Sequence, residues 1–547
     1  MNRILNKSLF LYLLVCIFSM TSPSAAQTYN TKPKLVVGIV VDQMRADYID
    51  RYWSKWGEGG FKRLVNQGYR FSNTHYNYVP TYTGPGHASI FTGTTPSVHG
   101  IVSNTWYSQA EKRFVYCAED RTEKTVGSTS RAGVMSPRNL QSTTLADELR
   151  IATQMRSKTI GIALKDRGAI LPAGHTANAA YWFDDLTGGW VSSSYYMTEL
   201  PKWLQEFNKN SRAPKYLAEN WITLLPINQY SESIADDNAY ESLFRGETKP
   251  VFPHKIPELA KANGNFAILR TTPFGNTLTR ELAVEAIRKE ELGKDDITDF
   301  LTVSFSSTDY VGHAYGPLSV EVEDTYLRLD HELELLLNTL DAEVGKDQYL
   351  LFLTADHGAM LNPSYLMANK ISAGVENDSL MCDSLKRYCV THYGDSLVLT
   401  YNSQQVYLNH QALSDRDLSL SDVKASLSEY MLTMKGVSRV LDTKTLQPSE
   451  AGSLVSCVYK GLYQPRSGDL AVVYNPGWVE FAKTGTTHGS GYDYDTHVPL
   501  LFFGVGISHG ETMEFVEIVD IAPTVANLLG ISPPNGNSGK LIPALKK

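Results

Sequence analysis

The chain has 547 residues, enough for several domains or for one large domain with insertions. Hydrophobic residues make up 42% and charged residues 20%, which excludes a disordered chain, a collagen and a protein with many membrane spans. Lysine and arginine number 50 against 58 acidic residues, a net charge of −8, and no dense basic tract is present, so nucleic-acid binding is not expected.

The first 26 residues have the features of a secretory signal peptide. Arg3 and Lys7 form a basic start, the apolar run Leu9–Met20 is too short to span a membrane, and small residues end at Ala26, where we expect cleavage. An uncleaved anchor is the alternative. No other apolar stretch approaches the length of a membrane span, so we expect an exported, periplasmic chain without a stable membrane anchor after cleavage.

Cleavage leaves four cysteines, which an oxidising compartment allows to pair. Cys382 and Cys389 are close enough in sequence to close a small loop, and the other two are Cys117 and Cys457. Four cysteines allow three complete pairings, and the sequence does not choose among them. No CxxC pair is present, so a cysteine-based zinc site is not expected.

Short apolar runs rich in β-branched residues predict buried strands. These runs are Leu35–Val41, Thr159–Leu164, Phe300–Phe305, Tyr349–Thr354 and Val498–Val505. Because they are almost wholly apolar, we expect an α/β fold with a mostly parallel central sheet and helices on both faces. Between them, Val322–Leu340 has leucines at helical spacing and predicts a helix whose apolar face packs in the core.

Two long segments interrupt the alternation of strands and helices. The first covers about residues 185–267 and is rich in Tyr, Trp, Asn and Pro, and the second covers about residues 363–477 and holds three of the remaining cysteines. We expect residues 27–547 to form a single α/β domain in which both segments are insertions, forming a lid or accessory lobe. No internal repeat or low-complexity linker marks a further boundary.

Polar side chains follow the first four predicted strands, at the point where each strand ends. They are Asp42 after the first strand, Lys165 and Arg167 after the second, Asp309 and His313 after the third, and Asp356 and His357 after the fourth. In open α/β sheets, ligands bind in the crevice beyond the carboxyl ends of the strands. We therefore expect these side chains to form one site.

The carboxylates and imidazoles of this set predict a site for two metal ions. A further imidazole is available from His488, which brings the nitrogen and oxygen ligands to six, too many for one tetrahedral zinc ion but suitable for two. Cobalt or manganese could occupy the same ligands. Asp309 and His313 are spaced i, i+4 and share one face of a helical turn.

Asp356 and His357 are adjacent, and adjacent side chains of a strand point to opposite faces. They can share a metal only where the strand has ended, and we expect Gly358 to supply the turn.

A turn rich in glycine and proline, residues 79–86, opens onto a predicted helix and holds Thr81 and Thr83. A hydroxyl there lies near the exposed N–H groups of a helix N-terminus, which attract anions. The alternative is a capping threonine without chemistry. A threonine hydroxyl needs a base or a metal to become a nucleophile, and the predicted metals meet that need.

Lys165 and Arg167 alternate in a segment that we expect to be extended, so both side chains can reach one anionic group. Arginine offers a bidentate contact to phosphate oxygens, and lysine adds a point charge. Asn104 could add a neutral donor. The alternatives are a solvated pair of surface cations and a turn-forming asparagine.

Together these residues resemble the alkaline phosphatase superfamily, and in particular the phosphate-irrepressible, PafA-type bacterial alkaline phosphatases. The similarity runs from Lys34–Gly38 to Asp520–Thr524, nearly the whole mature chain. It implies that the nucleophile is Thr83, four residues before His87, rather than Thr81.

The resemblance also implies the remaining roles. Asn104, Lys165 and Arg167 would contact the phosphate. The ligands of the two zinc ions would be, for the first, Asp309, His313 and His488, and, for the second, Asp42, Asp356, His357 and the nucleophile Thr83. The alternative to His488 is His497, for which a supporting role is expected, and the other conspicuous histidines, expected to be structural, are His87, His99 and His175.

The function that the resemblance implies is that of an exported metal-dependent phosphomonoesterase, acting on small phosphate monoesters through a covalent phosphothreonine intermediate. The alternatives are a phosphodiesterase or nucleotide pyrophosphatase of the same superfamily and a non-catalytic exported metal-binding protein. A sulfatase is not expected, because the segment around Thr83 lacks the Cys/Ser-x-Pro-x-Arg motif. The sequence does not give the oligomeric state, although we favour a monomer.

Overall fold

The computed structural model describes residues 32–210, 212–450, 452–480 and 483–546. The predicted signal peptide and its cleavage site at Ala26 lie outside the described residues. Within the described ranges, no helix has both the length and the apolar character that crossing a membrane requires.

The helices and strands are numbered here in chain order. The strands are β1 Leu35–Val41, β2 Tyr69–His75, β3 Thr105–Ser108, β4 Arg113–Tyr116, β5 Thr125–Val126, β6 Thr159–Ala163, β7 Ala179–Asp184, β8 Gly189–Ser193, β9 Asp299–Phe305, β10 Tyr349–Thr354, β11 Gly374–Glu376, β12 Val398–Asn402, β13 Gln405–Leu408, β14 Val437–Asp442, β15 Leu470–Tyr474, β16 Trp478–Glu480, β17 His497–Gly504, β18 Gly510–Thr512 and β19 Val516–Glu517. The longer α-helices are α1 Phe61–Gln67, α2 Thr83–Thr92, α3 Leu145–Ala152, α4 Asp166–Ala173, α5 Lys202–Lys209, α6 Phe274–Lys289, α7 Ser307–Tyr315, α8 Val320–Leu340, α9 Asp378–Tyr393, α10 Leu420–Leu432, α11 Leu454–Gly461 and α12 Ile521–Leu529.

The central sheet has the strand order β18-β2-β17-β10-β1-β9-β6-β7-β8-β5. Its middle strands β10, β1, β9, β6 and β7 run parallel to one another, and every residue in them is buried. Helices cover both faces, which explains why these strands are apolar throughout. The predicted α/β fold is therefore confirmed, and each of the predicted strands agrees with an observed strand to within one residue at either end.

The last predicted strand, observed as β17, runs antiparallel to β10, and β8 runs antiparallel to β7. The sheet is therefore mixed, with a parallel middle. This direction has a consequence for the site, because the residues that precede β17, rather than those that follow it, lie at the carboxyl edge of the parallel strands.

The long predicted helix is α8, which begins at Val320, two residues before the predicted start. Ser319 caps its N-terminus, since its hydroxyl accepts a hydrogen bond from the backbone N–H of Val322. The helix packs against α6 and α7. The predicted apolar face is buried, and it includes Tyr326, Leu329, Leu333, Leu336, Leu337 and Leu340.

The two long segments differ in how they relate to the central sheet. In the first, β8 pairs with β7 and with β5, so the central sheet continues to Ser193 and the predicted start at residue 185 is too early. The second contains a separate sheet in the order β12-β13-β15-β14, which we call the accessory sheet. Helices α9 and α10 pack on the accessory sheet, and their buried apolar residues form a hydrophobic cluster of their own.

The four cysteines of the described chain are buried and unpaired, so the pairing that the sequence leaves open is not present. Cys382 and Cys389 both lie on α9, seven residues apart. A helix rises 1.5 Å per residue, which separates their Cα atoms by about 10 Å, beyond the roughly 7 Å limit for a disulfide. The small loop that their sequence distance allows is therefore excluded by the helix.

We expect thiol titration of the denatured, unreduced mature protein to detect four reactive thiols per chain, because each sulfur is buried and unpaired in the fold. Ellman's reagent measures the count, and the same protein after reduction serves as the control. A count of two or zero before reduction would contradict the structure.

Candidate active site

Side chains from three strand ends meet around one buried lysine. Lys165 Nζ lies 2.7 Å from Asp42 Oδ2 and 2.6 Å from Asp309 Oδ2. All three side chains are almost fully buried. Because β1, β6 and β9 are parallel neighbours, the residues that follow them share one edge of the sheet. The predicted convergence of these strand ends is present in the structure.

A first group of potential metal ligands is formed around Asp309. His313, one turn later on α7, places Nε2 3.2 Å from Asp309 Oδ1, and His488 Nε2 lies 3.7 Å from the same oxygen. Each imidazole donates its Nδ1–H to a backbone carbonyl, His313 to Thr486 at 2.8 Å and His488 to Thr81 at 2.6 Å. These hydrogen bonds fix the tautomer and leave both Nε2 atoms as acceptors, as metal ligation requires.

A second group consists of Asp42, Asp356 and His357, whose ligand atoms lie within 4.8 Å of one another. Asp42 Oδ1, Asp356 Oδ2 and His357 Nε2 are buried and have no hydrogen-bond partner among the described residues. A buried polar atom without a partner is costly, so three of them facing one another indicate a missing ligand. His357 donates its Nδ1–H to the Gly358 carbonyl at 2.9 Å, which again leaves Nε2 as an acceptor.

His357 lies between the two groups. Its ring stacks on that of His488 with the centroids 3.4 Å apart, and its ligand atom is also within reach of those of Asp309 and His488. The geometry therefore brings the six predicted ligands together in one continuous cluster. It does not by itself divide them between two ions as the resemblance does.

The electrostatics of this cluster favour bound cations. Burial and the neighbouring Asp356 raise the pKa of Asp42 well above its ordinary value. Burial acts to raise the pKa of Asp309 as well, yet His313 and Lys165 hold it well below the usual range. Burial, together with His357 and His313, lowers the pKa of His488 and keeps its imidazole neutral. Burial also acts to lower the pKa of His313, but Asp309 raises it above its ordinary value. Buried carboxylates and imidazoles are the donors that divalent zinc takes once a bound ion displaces the protons, so the residues fit the predicted metals.

The end of β10 explains how adjacent residues share a site. The strand stops at Thr354, so Asp356 and His357 lie in irregular backbone and are free of the alternation of a strand. Gly358 does not adopt a positive φ. A Cβ there would lie 2.3 Å from the Tyr494 carbonyl oxygen, so glycine is needed for close backbone approach rather than for a left-handed conformation.

Thr83 is the first residue of α2, and Tyr82 is its N-cap residue. The Thr83 side chain is buried at the helix N-terminus, where the first N–H groups lack intrahelical partners. One of these, the N–H of Gly84, donates to Asn104 Oδ1 at 2.7 Å. This contact occupies the amide oxygen of Asn104 and leaves its NH2 group available as a donor.

Two cations approach the Thr83 hydroxyl. Lys165 Nζ lies 3.4 Å and Arg167 Nη2 3.5 Å from Thr83 Oγ1. The expected extended segment is wrong, because Lys165 is the N-cap residue of α4 and Arg167 lies in its first turn. Arg167 is oriented by Tyr116, whose hydroxyl accepts a hydrogen bond from Nη1 at 3.0 Å. No pattern in the sequence predicts this role of Tyr116, because the contact joins two segments that are distant along the chain.

Of the other histidines, His87 contacts the site, because its Nδ1–H donates to the Thr83 carbonyl at 2.9 Å and its Nδ1 lies 3.3 Å from Asp356 Oδ2. His497 stacks on His75 with ring centroids 4.4 Å apart and donates its Nε2–H to the Ser72 carbonyl at 2.9 Å, so it belongs to neither ligand group. The three histidines expected to be structural form hydrogen bonds with protein side chains: His87 with Ser304, His99 with Ser89, and His175 with Asp147.

Gln43 is a site residue that sequence reasoning missed. Its Nε2 donates to Asp309 Oδ1 at 2.8 Å and its backbone N–H donates to Asp356 Oδ1 at 3.1 Å, so it ties the two ligand groups together. Its φ is +65°, a region that residues other than glycine rarely adopt. The absence of a side chain at Gly312 leaves room for the Gln43 side chain, since a Cβ at position 312 would lie 1.9 Å from Gln43 Oε1. Its only sequence signal is its place directly after Asp42.

Comparison with known proteins agrees with this geometry. A family model described as type I phosphodiesterase / nucleotide pyrophosphatase matches residues 36–497. Alkaline phosphatase PafA of Elizabethkingia meningoseptica is 46% identical over 535 residues, which cover 97% of this chain and 98% of the relative. Alkaline phosphatase PhoV of Synechococcus elongatus is 44% identical over 536 residues, which cover 96% and 95%. The crystal structure of wild-type PafA matches with a TM-score of 0.91 and covers 94% of this chain and 99% of that chain, at 46% identity.

The chain therefore belongs to the type I phosphodiesterase / nucleotide pyrophosphatase family, within the alkaline phosphatase superfamily. Its near full-length similarity to PafA and PhoV confirms the predicted resemblance to PafA-type alkaline phosphatases and the predicted class of enzyme.

We expect Gln43→Asn to weaken zinc binding by about 10- to 100-fold, because loss of a partner of a ligating carboxylate typically has an effect of this size. Asparagine tolerates positive φ and keeps the backbone N–H, but its shorter side chain cannot reach Asp309. Competition with a chromophoric zinc chelator measures the affinity.

Gln154→Asn is the matched control for this variant, because Gln154 is exposed and has a φ of +55°. Equal zinc affinity in Gln43→Asn and in the control would show that Gln43 does not hold the ligand groups.

Proposed function

We propose that the protein is an exported, metal-dependent alkaline phosphatase that hydrolyses small phosphate monoesters through a covalent intermediate on Thr83. The observation that carries the proposal is the approach of Lys165 Nζ and Arg167 Nη2 to within 3.4 and 3.5 Å of the Thr83 hydroxyl oxygen, beside the ligand cluster. The names of the similar proteins, alkaline phosphatases PafA and PhoV, support the same activity.

Two zinc ions are the proposed cofactors, and cobalt or manganese could replace them. One would be held by Asp309, His313 and His488, and the other by Asp42, Asp356, His357 and Thr83. When bound, zinc lowers the pKa of a ligating hydroxyl and neutralises charge on phosphoryl and leaving-group oxygens. The three unpartnered atoms of the second group and the fixed tautomers of the three histidines support this assignment.

The chain's own residues perform the remaining steps. Thr83 Oγ1 gives up its proton to solvent and attacks phosphorus, and the new Oγ1–P bond forms. The bond to the leaving oxygen breaks on the opposite side, and the leaving oxygen keeps the bonding electrons and takes a proton from water. Attack of water on the phosphothreonine then releases phosphate and restores the hydroxyl. Because the transferring phosphoryl group spreads negative charge over its oxygens, positioning and electrostatic stabilisation dominate the reaction.

Lys165, Arg167 and Asn104 would hold the phosphoryl oxygens. Burial acts to lower the pKa of Lys165, but Asp309 and Asp42 raise it above its ordinary value, so the ammonium group stays charged and binds anions rather than acting as a base. Arg167 is held by Tyr116 at 3.0 Å and can present the rest of its guanidinium to oxygen atoms.

The alternative within the same family is a phosphodiesterase or nucleotide pyrophosphatase. A diester carries one negative charge and a second ester group, whereas a monoester is a dianion at alkaline pH. Two cations beside the nucleophile, the buried Lys165 and the half-buried Arg167, match the dianion better. A non-catalytic metal-binding protein is disfavoured because the nucleophile and all six expected ligand side chains are present in one cluster.

We also propose that the chain is exported to the periplasm after cleavage near Ala26 and acts there without a membrane anchor, as a monomer. Residues 27–547 would form a single domain, in which the second long segment is an accessory lobe beside the site. The basic and apolar pattern of the first 26 residues supports export.

An activity panel on protein of known metal content tests the proposed function. We expect kcat/KM for p-nitrophenyl phosphate to exceed that for bis-p-nitrophenyl phosphate by at least about 100-fold, the effect expected when two charged contacts of roughly 1.5–3 kcal/mol each serve only the monoester. Hydrolysis of p-nitrophenyl sulfate should be weaker than both. A preference for the diester would replace the proposal with the phosphodiesterase alternative.

We expect Thr83→Ala to lower kcat for monoesters by at least about 10³-fold and to abolish the covalent phosphoenzyme, because no other hydroxyl lies at the same place. Acid quench followed by mass spectrometry detects the phosphothreonine. Thr81→Ala is the matched control, since the Thr81 hydroxyl donates to the Ser490 carbonyl at 2.9 Å and only its backbone carbonyl holds His488. A phosphorylated Thr83→Ala enzyme would contradict the assignment.

We expect the double variant Lys165→Ala/Arg167→Ala to reduce kcat/KM for monoesters by about 10²–10⁴-fold and that for diesters far less, because the two cations match the charge of the dianion. Measuring both substrates on the same preparation makes the diester the internal control for folding. Equal losses on the two substrates would remove the basis of the monoesterase assignment.

A further inference from the structure

The turn of the hairpin between β12 and β13 has an unusual backbone for its sequence. Its two central residues, Ser403 and Gln404, have φ angles of +51° and +62°. Hairpin turns with two such residues strongly favour glycine and asparagine, because side chains are disfavoured in this region. Strained residues of this kind persist where surrounding contacts hold them. In this turn, the contacts are made with two segments of the active site.

The first contacts flank Asn104. Asn402 Nδ2 donates to the Thr105 carbonyl at 2.8 Å. The hydroxyls of Ser403 and Ser103 share a hydrogen bond of 2.8 Å. The turn therefore holds the residue before Asn104 and the residue after it, which fixes the backbone from which the Asn104 side chain extends.

The turn is also fastened on its other side. Gln404 Nε2 donates to the carbonyl of Gly489, the residue after His488, at 3.1 Å. The Gln404 carbonyl accepts from the N–H of Val472 on β15 at 2.8 Å, which ties the turn to the accessory sheet. Because that sheet has its own hydrophobic cluster, the turn rests on a packed support rather than on a loose loop.

We propose that the turn Asn402–Gln404 of the accessory sheet is a positioning element for phosphate binding, in which Asn402 and Ser403 act through Asn104. The contacts to both neighbours of Asn104 carry this inference, and it rests on the proposed phosphate-binding role of Asn104. The accessory sheet thereby gains a function: it fixes the neutral donor opposite Lys165 and Arg167.

A double-mutant cycle tests the proposal. The variant Asn402→Ala/Ser403→Gly removes both side-chain contacts, and glycine suits the positive φ, so the fold is retained. We expect kcat/KM for p-nitrophenyl phosphate to fall about tenfold and inhibition by inorganic phosphate to weaken by a similar factor, since small misplacement of a contact has effects of this order. In an Asn104→Ala background the same substitutions should have no further effect.

The matched control is Lys370→Gly, which replaces an exposed residue of the second long segment with a φ of +61° and should leave activity unchanged. The proposal is overturned if the turn variant keeps full activity, or if its loss is the same with and without Asn104. These results leave the proposed function standing. Absence of monoesterase activity in the metal-loaded native protein would contradict the proposed function instead. In that case, the affinity for inorganic phosphate, measured by calorimetry, would replace activity as the readout of the same double-mutant cycle.

Discussion

The structure depends on the presence of three buried carboxylates, Asp42, Asp309 and Asp356, at one edge of a parallel sheet. Carboxylates without water need positive charge close by, and Lys165 supplies only one unit of it, 2.7 and 2.6 Å from two of them. The remaining negative charge explains the surroundings, in which imidazoles turn their Nε2 atoms inward and three ligand atoms have no hydrogen-bond partner among the described residues. The proposed pair of divalent cations would balance this charge and create the excess of positive charge that a phosphate dianion needs.

Parallel strand direction makes this convergence readable from the sequence. Wholly apolar runs such as Leu35–Val41 and Tyr349–Thr354 identify strands covered on both faces, and the residue after each run must lie at the common edge. The i, i+4 spacing of Asp309 and His313 places them on one face of α7. These features follow from periodicities of the backbone, and for that reason they could be predicted without coordinates.

Other parts of the site depend on tertiary contacts that leave no local pattern. The antiparallel direction of β17 brings the segment before it, with His488, to the site, and no periodicity gives the direction of a strand. The turn residue Ser403 is 300 positions from Ser103, which it contacts. Gln43 adopts a positive φ, which nothing in the surrounding sequence predicts. The sequence leaves the state of the cysteines open for a related reason, since an oxidising compartment permits a disulfide but helix geometry keeps Cys382 and Cys389 apart.

The central claim is tested most directly by X-ray diffraction from crystals of the native protein, with anomalous data collected at the zinc absorption edge. The account predicts two anomalous peaks about 4 Å apart, the spacing of two-metal sites. One peak should be bonded to Asp309, His313 and His488, and the other to Asp42, Asp356, His357 and Thr83. A single peak, or peaks bonded to residues outside this cluster, would contradict the account.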